Sequence, residues 1–97
     1  MGQVYDFYSH PLRKSLEQFE IPEYMHEGIL RYVSHHVKPG DFLTSVICND
    51  LQLAVAHADG TNMNLLKNYV QWFYNEAPGG CWGSKEKMND WLAKRNQ

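Results

Sequence analysis

Ninety-seven residues amount to a single domain. A 43% hydrophobic, 13% aromatic composition belongs to a chain that builds a core from a few large rings, and it excludes a disordered one. Eleven acidic residues outnumber nine Lys and Arg, leaving a formal net charge of −2, whereas proteins that grip a nucleic-acid backbone carry a basic excess; nucleic acid is not the expected partner. Two cysteines, Cys48 and Cys81, are too few for a disulfide scaffold. No apolar run approaches the roughly 18 residues of a membrane span, and Met1-Gly2-Gln3-Val4-Tyr5-Asp6 lacks a basic-then-apolar leader layout. The expectation is a cytoplasmic protein with no membrane partner.

In chain order, the apolar spacing is helical nearly throughout. One helical domain is expected over residues 1–97, with residues 1–9, around Tyr5-Asp6-Phe7-Tyr8, forming an aromatic arm over the core. His10-Pro11 opens a short helix whose inner face is Leu12, Leu16 and Phe19, and Ile21-Pro22 ends it. A second helix runs from Pro22 to His36 with Met25, Ile29, Tyr32, Val33 and His36 in one stripe. Gly28 lies on it at a cost of about 1 kcal/mol relative to alanine, which marks close packing by a neighbour.

Asp41 is the expected cap of a third helix over residues 42–47, and Asp50 the cap of a fresh turn carrying Leu51, Ala54, Val55 and Ala58. Asp59-Gly60 stops the chain. Thr61 then caps a long helix over residues 62–75, with Met63, Leu66, Tyr69, Val70 and Phe73 inward. Ala77-Pro78-Gly79-Gly80 breaks it. Ser84 caps a last helix with Met88, Trp91, Leu92 and Arg95 inward. No segment alternates like a strand. The fold class predicted is all-α: a compact orthogonal bundle of five to six short helices.

The chemistry is sparse. His26-Glu27 is followed four residues after the histidine by Leu30, so the zinc-binding His-Glu-x-x-His pattern is absent. His35 and His36 are adjacent and point about 100° apart on a helix, which suits a helix end better than a shared metal. No metal or cofactor is expected. Cys81, in a glycine-rich turn, is expected to be the more accessible thiol, but no spacing supplies it with a base, so no catalytic residue is assigned and the chain is read as a non-enzyme.

The turn Gly79-Gly80-Cys81-Trp82-Gly83-Ser84-Lys85 misses the phosphate-loop spacing. It retains a weaker capacity, a helix start with Ser84 and Lys85 for a phosphate and Trp82 to stack a base. Lys85, Lys87, Lys94 and Arg95 form a local cationic cluster interrupted by Glu86 and Asp90. Tyr69, Trp72, Phe73 and Tyr74 cannot all face one core. Trp72 and Tyr74 are therefore expected at an interface, with self-association or with a partner.

Several phrases in order carry a resemblance: Met25-His26-Glu27-Gly28-Ile29-Leu30-Arg31-Tyr32-Val33, Pro39-Gly40-Asp41-Phe42-Leu43-Thr44-Ser45-Val46, Asn49-Asp50-Leu51, Tyr74-Asn75-Glu76-Ala77-Pro78 and Cys81-Trp82-Gly83-Ser84. Over roughly residues 22–92 the chain resembles a family of small, mostly uncharacterised proteins encoded by phages and prophages. The resemblance implies an accessory binding protein that counters host defence inside the host cell by sequestering a nucleotide immune signal, cyclic or ADP-ribose-like. The pocket expected for it, formed between subunits of a homo-oligomer, draws on Trp82, Ser84 and Lys85 with His26, Arg31 and Asn49 from neighbouring helices. The alternative is an inhibitor or adaptor that binds a host defence protein through Trp72 and Tyr74. A small enzyme using Cys81 or His26 is a third possibility, one that lacks an acid–base constellation.

Overall fold

The computed structural model describes residues 11–96, so the expected arm at residues 1–9 lies outside the described residues. The chain folds as α1 (residues 11–18), a 3₁₀ turn (Glu23–Met25), α2 (His26–His35), α3 (Asp41–Ile47), α4 (Leu51–His57), α5 (Gly60–Asn64), α6 (Leu66–Glu76), α7 (Lys85–Ala93) and a closing 3₁₀ turn (Lys94–Asn96). No strand occurs among the described residues, and the fold is an all-α bundle. None of these helices is long and apolar enough to cross a membrane.

The core is aromatic. Tyr32, Tyr69, Trp72 and Phe73 are fully buried together with Leu16, Ile29, Leu30 and Ile47. Phe42 meets Tyr69 and Trp72 meets Phe73 edge-on, each with ring centroids 5.1 Å apart. This is the geometry that opposes the positive edge of one ring to the negative face of the next. The polar tips of the buried rings are all satisfied. Trp72 Nε1 donates to Ser15 Oγ at 2.8 Å, Tyr32 donates to the Cys81 carbonyl at 2.5 Å, and Tyr69 donates to Asn62 Oδ1. Gly28 lies where α3 comes close, since a Cβ there would sit 3.4 Å from Leu43 Cδ1.

Two caps hold as expected: Asp50 accepts from the Leu53 amide and Ser84 from the Lys87 amide. Two do not. Gly40 occupies the cap position of α3 and Asp41 is its first helical residue, with no side-chain capping bond. Asp59, not Thr61, caps the next helix by accepting from the Asn62 amide at 2.7 Å.

Starting that helix early has a consequence, because the chain turns at Leu65 (φ −110°, ψ 12°) and begins again as α6. The single helix expected over residues 62–75 is thus two, and among the described residues the bundle has seven helices where five or six were expected. Tyr69 and Phe73 face inward as expected, joined by Asn62 and Trp72, while Met63 and Val70 are exposed. Likewise α4, only seven residues long, buries Ala54 alone and leaves Leu51 and Val55 exposed. Arg95 is exposed because α7 ends at Ala93, before its position can complete the inner face.

Candidate functional site

The C-terminal end of α2 is closed by the backbone itself. His36 adopts a left-handed conformation (φ 59°, ψ 42°); its N–H donates to the Tyr32 carbonyl and the Val37 N–H to the Arg31 carbonyl. Two carbonyls near the helix end are thereby satisfied by backbone.

Against this end packs α7. Trp91 Nε1 donates to the Tyr32 carbonyl at 2.9 Å, its ring lies 4.8 Å from that of His36 at a tilt of 52°, and Lys94 Nζ sits 5.1 Å from its centroid. The cation over the indole is held where the ring is negative.

Between the two elements lies an open cleft of about 730 Å³, walled by Arg31, Ser34, His35 and His36 on one side and by Lys94 and Arg95 on the other. Among the described residues, its lining carries three positive charges and no side-chain carboxylate. The nearest acid tied to it is Glu27, 3.8 Å from Arg31 Nε one turn earlier and 3.0 Å from Arg13. Such exposed pairs are weak and leave Arg31 available to an anion. His36 Nδ1 is buried in the cleft wall with no hydrogen-bond partner among the described residues. The groove is thus positively charged and open to solvent, and its volume falls in the range of about 300–1,000 Å³ found for small-molecule pockets.

Within one chain, the residues expected to contribute to a ligand pocket between subunits lie in separate places. Arg31 opens onto the cationic cleft. His26 is buried at the opposite end of α2 and bonded through Nε2 to the Ile21 carbonyl at 2.8 Å. Asn49, left-handed at φ 61°, lines a narrow groove between α3, α4 and α6.

Trp82, Ser84 and Lys85 do share a corner, but it is built structurally. The Trp82 ring lies 5.7 Å from Phe73, the Gly83 N–H donates to the Ile47 carbonyl, and the Ser84 oxygen is occupied by the Lys87 amide. Gly83 is at φ 116°, a conformation that requires glycine.

Two further expectations are corrected. Trp72 is 0% exposed and hydrogen-bonded to Ser15, so it forms core and not interface, whereas Tyr74 is 78% exposed. Cys81 is fully buried and its thiol is pushed up to about 12 by desolvation, so Cys48 is the more accessible thiol. A thiol so raised carries almost no thiolate at neutral pH. Among the described residues, no three His, Cys, Asp or Glu side chains gather as metal ligands would.

His36, Lys94 and Arg95 carry the cleft with Arg31, and sequence reasoning did not group them. The signal was present in two pieces, the helix-end histidines and the C-terminal bases. Only the Trp91 contact brings them to one place. Comparison of the chain with family models, curated proteins and solved structures finds no match. The site is thus defined by its geometry, a cationic cleft between two helix ends of an all-α bundle.

Proposed function

We propose that this chain is a non-enzymatic binding protein that sequesters a nucleotide-type ligand by its phosphates in the cleft between α2 and α7. The observation that carries this function is the convergence of Arg31, Lys94 and Arg95 on a volume of about 730 Å³ lined, among the described residues, by no side-chain carboxylate. Arg31 and Arg95 offer planar donor forks that match phosphate oxygens, and Lys94 adds a point charge. The His36 ring in the wall is a flat surface on which a base can rest. The absence of an assigned nucleophile or base, with Cys81 buried and His26 bonded to backbone, favours binding over catalysis.

The resemblance to phage and prophage proteins suggests the setting: a host cell whose nucleotide immune signal is the ligand. An open cleft excludes water best when a second copy covers it, which favours a homo-oligomer.

Native mass spectrometry of the protein incubated with cyclic dinucleotides and cyclic ADP-ribose tests this directly, because it reports subunit count and bound mass together. A discrete adduct is expected. The double substitution Lys94→Gln/Arg95→Gln is expected to weaken it roughly thirtyfold, at about 1 kcal/mol for each screened contact. Lys85→Gln is expected to leave it unchanged. Loss of the adduct in Lys85→Gln but not in the double variant would move the site to the Trp82 turn. No adduct with any of these ligands would overturn the proposal and favour the alternative, an inhibitor or adaptor that presents exposed Tyr74 to a host protein.

A further inference from the structure

α4 turns most of itself to solvent without the residues that solvent favours. Ala54 is its one buried side chain, while Leu51, Leu53 and Val55 are large, apolar and exposed. From Leu51 to Ala58 the chain has no Lys, Arg, Asp or Glu. A surface helix ordinarily sets charged and polar residues on the face that meets water.

The apolar surface continues onto α6. Leu51 and Ala54 share a groove of about 40 Å³ with Val46 of α3 and with Leu66 and Val70 of α6. Val55 follows Leu51 by one helical turn and Tyr74 follows Val70 by one, so each extends its own helix's stripe along the same side. Leu51 is 67% exposed, Val55 42%, Val70 41% and Tyr74 78%. Apolar side chains exposed singly are ordinary, but a contiguous patch of several hundred Å² marks an interaction site.

Charge, relief and area select the occupant. Among the described residues, Asp50 is the one charged side chain in the groove lining, and its Oδ1 accepts the Leu53 amide. Lys67, two turns before Tyr74, stands at the rim. A face with one charge of each sign is close to neutral and does not repel its own copy. It lacks the single-sign patch that steers a charged partner and the basic flank of a helix lying on a membrane. In relief it offers a ridge, Tyr74, beside a hollow. Two copies related by a two-fold axis set each ridge over the other's groove, the self-complementary fit of an isologous contact. Leu51, Val55, Val70 and Tyr74 alone present roughly 450 Å² per copy, or about 900 Å² across a pair, close to the 1,000 Å² or so at which specific interfaces begin.

We propose that this face is the interface of a symmetric dimer, in which α4 and α6 of one copy pack on the same two helices of a second. None of the groove-lining residues lines the cationic cleft, so the pairing is independent of the ligand proposal and stands if that proposal fails.

Sedimentation equilibrium of the full chain tests it. An interface of this size is small and reversible, so a monomer–dimer equilibrium is expected between about 10 and 500 µM protein. Val70→Glu is expected to weaken association at least tenfold by setting like charges into one symmetric contact, with helicity by circular dichroism unchanged because Val70 already meets water. Leu53→Glu, which changes an exposed apolar residue outside the groove lining, is expected to leave association as it was. Isotope-filtered NMR of a mixed labelled and unlabelled sample is expected to place the Tyr74 ring against methyl groups of the other copy's groove, Leu51 or Leu66 among them. A chain that stays monomeric at the highest concentration would overturn the proposal and give the face to a different protein. A dimer that Val70→Glu and Leu53→Glu affect alike, or whose intermolecular contacts arise elsewhere, would overturn it equally.

Discussion

Ser15→Ala is a one-atom test of where Trp72 lies. Ser15 Oγ accepts the indole N–H of Trp72 at 2.8 Å and passes its own proton to the Leu12 carbonyl at 2.7 Å. Trp72 is wholly inaccessible, so removing the hydroxyl leaves a buried N–H that water cannot reach. Leaving such a donor unsatisfied costs about 1–3 kcal/mol. Alanine recovers about 0.5 kcal/mol through its better helix propensity in α1. The net loss expected is about 1.5 kcal/mol, and in a domain of this size that lowers the melting temperature by roughly 6–12 °C.

Urea unfolding followed by far-UV circular dichroism measures it. Trp72→Phe should cost more, about 3 kcal/mol, from lost ring volume. The double variant should cost less than the sum, with a coupling of about 1 kcal/mol, because a phenyl ring has no N–H to strand. A neutral Ser15→Ala variant, or strict additivity in the cycle, would refute the reasoning and reopen Trp72 as a surface residue.

Other expectations are as direct. In the folded protein near neutral pH, a thiol reagent should modify Cys48 before Cys81, and Cys81 should react only on denaturation, since burial pushes its thiol up to about 12; early labelling of Cys81, mapped by peptide mass, would contradict its burial. Glu20 ends α1 at φ 62° and is exposed, so Glu20→Gly should stabilise the protein by about 0.5–1 kcal/mol in the same urea assay, the relief of a left-handed conformation less the added freedom of the unfolded chain. The Asn62 amide and the Tyr24 hydroxyl hold the Asp59 carboxyl below the usual carboxylate range. Its folded value being depressed, its contribution is complete above the unfolded value of about 4 and is lost as pH falls through the folded one. Asp59→Asn, which keeps a capping oxygen but no charge, should therefore flatten the stability profile below about pH 4 while changing its shape little above pH 5.

The helical class and most helix ends were legible because they rest on local chemistry. Pro22, Asp50, Ser84 and the Pro78-Gly79-Gly80 break act through their own backbone and nearest neighbours. The face each helix buries was legible only where the helix is unbroken. The α2 stripe is correct at Ile29, Tyr32 and Val33, and Tyr69 and Phe73 of the next stripe are buried as expected, whereas Met63, on the far side of the turn at Leu65, and Val70 are exposed. Periodicity cannot see a single turn residue whose neighbours on both sides are good helix formers.

Trp72 was misplaced for a related reason. Counting aromatic residues on one helix shows that some must turn outward, but the Ser15 hydroxyl 57 residues away decides which ring the core accepts. Of the expected ligand residues, Arg31 alone lines the cationic cleft, because the cleft is made by tertiary contact between chain segments around residues 31–37 and 94–95.

That separation in sequence makes the cleft a thermodynamic reporter. Its C-terminal wall is tethered to α2 through the Trp91 indole on the Tyr32 carbonyl. If α7 lifts away while the rest of the bundle persists, Arg31 stays in place but Lys94 and Arg95 leave it. Ligand affinity and the docking of α7 are then one equilibrium seen from two ends: whatever occupies the cleft adds its binding energy to the closed form, and whatever loosens the last helix is paid in affinity. Hydrogen exchange in α7 should slow as the cleft fills, more than exchange in α1, and the size of that difference would measure the coupling without reference to the ligand's identity.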